Sequence, residues 1–168
     1  LFRSQAIYNV ERPDRQWPRL RSFAMRDLNE VVERNPDLGD AHLMIAQLES
    51  LPGGDRERAR VAARRALELL PDDRLQSAQA HAVLGNVADD DDREERLSHY
   101  DKAVELAPAD KDIRRARGLF HLLQENFAAS QADLTAAAEA DPEDASLQEA
   151  LGLALMMDEK LDLAQEAF

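Results

Sequence analysis

Apolar residues recur at helical spacing through most of the chain, and short polar breaks separate one apolar run from the next. One run near the C-terminus shows the i, i+4, i+7, i+8 spacing of a single helix face, with Leu147, Leu151, Ala154 and Leu155. A polar break at residues 158–160 follows it, and a second stripe then begins with Leu161, Ala164 and Phe168. Because so short a connection makes adjacent helices antiparallel, the pattern predicts helices arranged in antiparallel pairs.

Four prolines divide the pattern at a nearly constant interval. Pro36, Pro71, Pro108 and Pro142 stand 35, 37 and 34 residues apart. Each follows an apolar run and precedes acidic residues, which are Asp37, Asp72 with Asp73, Asp110, and Glu143 with Asp144. Proline ends a helix, and an aspartate can cap the next one by accepting its unpaired N–H groups. The sequence is therefore predicted to be a repeat of helix pairs, with first helices at 41–50, 75–88, 111–124 and 145–157.

Small residues occupy the same position in successive units. Gly85, Gly118 and Gly152 each lie inside an apolar helical stretch. Five residues before the four prolines stand Val31, Ala66, Ala103 and Ala137. Glycine inside a helix costs about 1 kcal/mol relative to alanine, so we expect another helix to pack closely against these glycines.

These residues resemble the tetratricopeptide repeat family, whose unit is a helix–turn–helix of about 34 residues. The copies that match best are Leu84, Gly85, Tyr100, Ala103 and Pro108, and then Leu151, Gly152, Leu155, Ala164 and Phe168. The resemblance covers residues 40–168 as three full repeats and a truncated fourth, with residues 1–39 as a degenerate N-terminal repeat or capping helices. It implies an all-α fold, a right-handed α-α superhelix (solenoid) of stacked antiparallel helix pairs. The chain departs from the family at the aromatic position of the first helix, which holds Leu43, His81, Arg114 and Gln148.

Composition supports a helical fold and limits the chemistry. Ala (28) and Leu (24) are abundant, whereas Val, Ile and Thr together number 11, which disfavours strands. With no cysteine, disulfides, thiolate metal sites and cysteine nucleophiles are excluded. The four histidines show no metal-binding spacing, and no catalytic motif is present, so we expect no enzyme activity, metal or cofactor.

The net charge of −13 lies entirely in the C-terminal half, since residues 76–168 contain 8 basic and 21 acidic side chains. Such a surface disfavours nucleic acid and anionic lipid, and attracts basic partners. No apolar run is long enough to span a membrane. Five arginines between residues 56 and 65 form a basic stripe that either pairs locally or binds an acidic neighbour. Arginine outnumbers lysine 18 to 3, which suggests a bacterial source.

The resemblance implies that the first helices line a concave groove that binds a peptide or helix of a partner protein. The residues it places there are Met44, Leu48, Asn86, Arg115, Leu119, Leu122, Leu153 and Met156. Packing against a neighbouring repeat is the alternative for Leu119, Leu122 and Leu153. The family's carboxylate clamp is not expected, because only Arg115 among the corresponding residues could donate to an anion.

A protein-interaction scaffold is thus the predicted function. The alternative is a self-association or spacer module within a larger enzyme or an export or assembly protein. Because the chain begins at Leu1 and ends at Phe168 inside a predicted helix, we expect it to be part of a longer protein. The compartment is left open, with the cytoplasm slightly favoured over the periplasm.

Overall fold

The computed structural model describes residues 17–158, and within that range the regular structure is entirely helical. Its helices are α1 (Trp17–Arg34), α2 (Gly39–Ser50), α3 (Arg56–Leu69), α4 (Arg74–Val87), α5 (Arg93–Leu106), α6 (Lys111–Leu123), α7 (Phe127–Ala140) and α8 (Ala145–Met157). The four predicted first helices correspond to α2, α4, α6 and α8. The predicted stripe Leu161, Ala164 and Phe168, and residues 1–16 of the predicted N-terminal repeat, lie outside the described residues.

The helices form two units that divide after Val87. In the first unit, α2 packs against α1, α3 and α4, and α3 also packs against α4. In the second unit, α7 packs against α6 and α8, while α6 also contacts α5 and α8. Within each unit, every helix therefore lies against its neighbours in sequence, and the alternate helices α2 and α4, or α6 and α8, also touch. The predicted all-α fold of paired helices is confirmed.

Aspartates begin most of these helices, and three of them cap where their place after the prolines predicted. Backbone N–H groups of the first turn donate to Asp73 in α4, Asp110 in α6 and Asp144 in α8, each at 3.0 Å. Asp55 and Asp92 cap α3 and α5 in the same way. Asp37 is the exception: the N-cap of α2 is Leu38, which makes no side-chain hydrogen bond, and Asp37 instead pairs with Arg65 at 2.6 Å. The cap prediction was wrong there because Asp37 lies one residue too early.

The cap of α8 should make stability depend on pH. Asp144 accepts hydrogen bonds from the Ser146 N–H and from Ser146 Oγ at 2.6 Å, and its other oxygen lies 3.3 Å from Lys111 Nζ. The Ser146 hydroxyl and then Lys111 lower the pKa of Asp144 below its usual 3.8. A carboxylate with a lowered pKa in the folded state stabilises the protein above its unfolded pKa, and that contribution is lost as pH falls through the folded value.

We expect Asp144→Ala to lower the free energy of unfolding by about 1 kcal/mol at neutral pH, the usual cost of losing a helix cap. The difference from the unsubstituted chain should shrink steadily as pH is lowered below 3.8. Urea unfolding at a series of pH values measures this, and Glu143→Ala, one residue earlier and exposed, is the matched control. An Asp144 effect that stays constant down to strongly acidic pH would show that the charged cap is not its cause.

Close helix packing occurs at Gly118, as predicted. A Cβ atom at this position would lie 2.8 Å from Leu134 Cγ and 3.3 Å from Asp133 Cβ. Leu134 on α7 is fully buried, and so is Ala137 one turn later. Gly85 and Gly152 are buried in α4 and α8 as well. At Gly118 the absence of a side chain therefore lets α6 and α7 approach one another.

Candidate protein-binding surface

The predicted groove residues of the first unit differ in accessibility. Leu48 on α2 is 1% exposed and belongs to the core formed by α1–α4, so it is not accessible to a partner. Met44, one turn earlier, is half-buried and packs against the same core. Asn86 on α4 is exposed. Leu48 lies in the core because α2 is covered on three sides by α1, α3 and α4.

In the second unit, Leu122 is a core residue and not a groove residue. It is 4% exposed and clusters with Leu134 of α7 and with Ala150 and Ala154 of α8. Leu119 is half-buried and packs against the same cluster. Packing against the neighbouring repeat, the alternative considered for these leucines, is what Leu122 does.

Apolar side chains remain exposed on α8. Leu153 is 44% exposed, and Met156, three residues later, is 47% exposed. The structure adds two residues that sequence reasoning missed: Met157, 49% exposed, and Leu123 at the end of α6, 76% exposed. Leu123 follows Leu119 by four residues, so the helical period could have placed both on one side of α6.

These residues define a surface of the second unit that we call the α6–α8 face. It comprises Arg115, Leu119 and Leu123 on α6, and Leu153, Met156 and Met157 on α8. The two helices meet through Leu122, Ala150 and Ala154. The exposed apolar side chains therefore belong to two helices that are in direct contact.

Charged groups accompany the apolar residues of the α6–α8 face. Arg115 is half-buried, and its Nε has no hydrogen-bond acceptor among the described residues. Exposed acidic residues share the same helical stripes, with Asp112 one turn before Arg115 and Glu149 one turn before Leu153. The face thus combines exposed apolar groups, one arginine that lacks a full set of acceptors, and negative charge at its edge.

The neighbouring arginines of α6 are held by a buried carboxylate that sequence analysis did not single out. Asp133 on α7 is 2% exposed and accepts from Arg114 Nη1 at 2.9 Å. Arg117 donates to both oxygens of Asp133, from Nε at 2.6 Å and Nη2 at 2.8 Å, and its third nitrogen reaches Asp101 on α5 at 2.8 Å. This network ties α5, α6 and α7 together and positions the helix that carries Arg115.

Arg114 also replaces the aromatic residue that the resemblance leads one to expect. Its Nε donates to the carbonyl of Pro108, six residues earlier, at 2.5 Å. His42 contacts the carbonyl of Pro36 with the same spacing, at 2.8 Å, so His42 and not Leu43 is the equivalent residue in the first copy. Gln148 lies 3.5 Å from the Pro142 carbonyl. A polar side chain thus follows Pro36, Pro108 and Pro142 by six residues and contacts the carbonyl of that proline.

The basic stripe on α3 is largely paired within its own unit. Arg60 contacts Glu57 at 2.9 Å, Arg58 contacts the buried Glu49 at 3.4 Å, and Arg65 contacts Glu68 at 2.8 Å. Glu49 also pairs with Arg21 of α1, so it joins three helices. These contacts favour local pairing over an intermolecular role for this stripe.

Among residues 17–158, no His, Asp and Glu side chains form a group of three that could hold a metal ion. The same part of the chain contains no helix whose length and apolar content would allow it to cross a bilayer.

Comparison with known proteins gives the fold and not a family. No protein-family model matches the chain, and no curated protein matches it. Solved structures do resemble it: MamA (residue 41 to the end) from Desulfovibrio magneticus RS-1 has a TM-score of 0.68 and 22% identity over 99% of this chain and 91% of that one. PilW, a widely conserved type IV pilus biogenesis factor, has a TM-score of 0.74 and 17% identity over 99% of this chain and 73% of that one. Yeast Tom70 has a TM-score of 0.72 and 19% identity over 99% of this chain and 35% of that one. These neighbours contain tetratricopeptide repeats, and the likeness shows that this chain shares their helical-repeat fold.

Proposed function

We propose that this chain is a non-catalytic protein-interaction scaffold of tetratricopeptide repeats, and that its α6–α8 face binds a basic amphipathic helix of a partner protein. The observation that carries the proposal is the exposure of Leu153, Met156 and Met157 on a helix whose remaining leucines and alanines are largely buried. The scaffold function itself is supported by the helical-repeat fold shared with MamA, PilW and Tom70.

Apolar anchors would supply most of the affinity. Each Å² of apolar surface removed from water contributes roughly 25 cal/mol, so covering several large side chains offsets the cost of association. Methionine suits such a surface, because its flexible thioether adapts to ligands of different shape. An amphipathic helix presents apolar residues at i, i+3, i+4 and i+7, a spacing that can reach both α6 and α8.

Charge argues for a basic partner. Residues 76–168 carry 21 acidic against 8 basic side chains, and the exposed Asp112 and Glu149 lie beside the apolar positions. An acidic rim attracts a basic helix over about a Debye length and repels acidic competitors. Arg115 can donate to the unpaired carbonyls at the C-terminal end of the bound helix. We expect an affinity of about micromolar, or about −8 kcal/mol.

The test begins with a displayed library of amphipathic helical peptides, selected on the unsubstituted chain and then measured by calorimetry. Leu153→Gln with Met156→Gln removes two anchors without adding charge, and we expect it to raise Kd at least about tenfold. The matched control is Val61→Gln with Leu75→Gln, because these residues are 60% and 51% exposed on the first unit. The control should bind as the unsubstituted chain does.

If both double variants fold and bind the selected peptide equally well, the α6–α8 face is not the binding surface. Selected peptides that are acidic would overturn the charge argument while leaving the scaffold function in place. Met44 and Asn86 of the first unit stay predicted contact residues, and substituting them in the same assay would show whether that unit also binds. Self-association stays the alternative function, and sedimentation at several salt concentrations distinguishes a salt-sensitive dimer from a peptide-binding monomer.

A further inference from the structure

We propose that Met156 and Met157 form an oxidation-sensitive pair, at which a peroxide converts the thioethers to sulfoxides and thereby weakens partner binding at the α6–α8 face. The modification site is inferred from the exposure of the two side chains, whereas the effect of oxidation on affinity rests on the proposed function.

The four methionines differ sharply in accessibility. Met25 is 8% exposed in the core of the first unit, and Met44 is half-buried against the same core. Met156 and Met157 are 47% and 49% exposed and are adjacent at the end of α8. The chain contains no cysteine, so no thiol competes for the oxidant. Accessible sulfur is thus concentrated at one place, which is also part of the proposed binding surface.

The reaction needs only a hydroperoxide as oxidant. The thioether sulfur attacks one peroxide oxygen, the O–O bond breaks, and with hydrogen peroxide the other oxygen leaves as water. Sulfur loses two electrons and the peroxide gains two, and the new S–O bond makes a sulfoxide. Methionine sulfoxide reductases reverse this step, so the change is suited to regulation.

Oxidation makes this surface more polar and therefore lowers its affinity for an apolar helix face. A sulfoxide is polar and accepts hydrogen bonds, so covering it with an apolar partner leaves that acceptor without a donor. Leu153 precedes Met156 and Met157 by one helical turn, so both sulfurs border the apolar anchor that oxidation leaves intact. Leucine at both positions would keep the surface apolar and remove the sulfur.

The experiment treats the full chain with hydrogen peroxide and follows each methionine by peptide mass spectrometry. We expect Met156 and Met157 to be oxidised while Met25 remains largely unmodified. The oxidised chain should bind the selected peptide about tenfold more weakly and should elute earlier from a phenyl column. A Met156→Leu, Met157→Leu variant should show neither change after the same treatment, whereas a Met25→Leu control, at a buried methionine outside the proposed surface, should behave as the unsubstituted chain.

If all four methionines are oxidised at the same rate, the proposed selective oxidation of Met156 and Met157 is wrong. If peroxide treatment lowers the affinity of the Met156→Leu, Met157→Leu variant as much as that of the unsubstituted chain, the link between oxidation and binding is wrong. The phenyl-column readout requires no peptide. If selection yields no ligand, the proposed function fails, while selective oxidation with earlier elution still supports the oxidation site. Unchanged elution after complete oxidation of the pair contradicts the proposed surface change.

Discussion

Asp133→Ala is expected to lower the free energy of unfolding by about 4 kcal/mol, the largest effect of any substitution considered for this chain. The Asp133 carboxylate is 2% exposed and accepts three hydrogen bonds, one from Arg114 and two from Arg117. Its removal takes the shared carboxylate from two partly buried guanidinium groups, since among residues 17–158 only the exposed Asp101 still pairs with Arg117. Chemical unfolding in urea at neutral pH, with a check that the m-value is unchanged, measures the loss.

Asp101 provides a matched control for this prediction. Its carboxylate contacts the same Arg117 at 2.8 Å, but its side chain is 54% exposed. Exposed ion pairs contribute between zero and about 1 kcal/mol, so Asp101→Ala should cost less than about 1 kcal/mol. Equal losses for the two alanine variants would show that burial does not govern the strength of this network.

A second comparison separates the loss of a contact from the cost of an unpaired charge. Replacing Arg114 and Arg117 by Met and Asp133 by Leu removes every charge of the buried group together. We expect this triple variant to recover most of the stability lost in Asp133→Ala, because well-packed apolar residues often replace a buried ion pair at little cost. A triple variant less stable than Asp133→Ala would instead show that the ion pairs themselves stabilise the fold.

Gly118→Leu is expected to lower the free energy of unfolding by about 3 kcal/mol. A Cβ atom at this position already lies 2.8 Å from Leu134 Cγ, and Leu134 is fully buried, so relieving the contact requires packed side chains to shift. The better helix propensity of leucine recovers only about 1 kcal/mol of this overpacking cost. Thermal and urea unfolding of the variant, compared with the unsubstituted chain, give the measurement.

Two further variants identify the contact responsible. Ala132→Leu adds the same side chain at an exposed position of α7 and should change stability by less than about 0.5 kcal/mol. Gly118→Leu combined with Leu134→Ala moves side-chain volume from one helix to the other. The double variant should therefore lose less free energy of unfolding than the sum of the losses in the two single variants. Simple additivity would mean that Gly118 and Leu134 do not share the contact.

Helix positions could be predicted from sequence because their signals are local. Proline ends a helix by removing a hydrogen bond, and an aspartate caps the next one within three residues. The first helix predicted at 75–88, which the structure has at Arg74–Val87, and the caps at Asp110 and Asp144 were correct for that reason. The close helix packing at Gly118 could also be predicted from sequence, because a glycine inside an apolar helix is costly without close packing.

The candidate surface was only partly predictable, because exposure depends on which neighbours cover a helix. Leu122 and Leu123 are adjacent and chemically identical, yet one is 4% and the other 76% exposed. Helical period alone does not separate them, since both can lie on the side where Leu119 lies. Their difference arises from the position of α8, whose Ala150 and Ala154 contact Leu122.

By itself, then, the sequence determined the repeat, the helix boundaries, the excess of negative charge and the absence of cysteine chemistry, all of which follow from residue identity and short-range spacing. Only the tertiary structure decided which leucines are core, that Asp133 holds Arg114 and Arg117, and that Met156 and Met157 remain exposed. Those features depend on side chains that meet across helices, such as Asp133 and Arg117, 16 residues apart in sequence. Burial and ion pairing of this kind are properties of the packed helices, and no single segment encodes them.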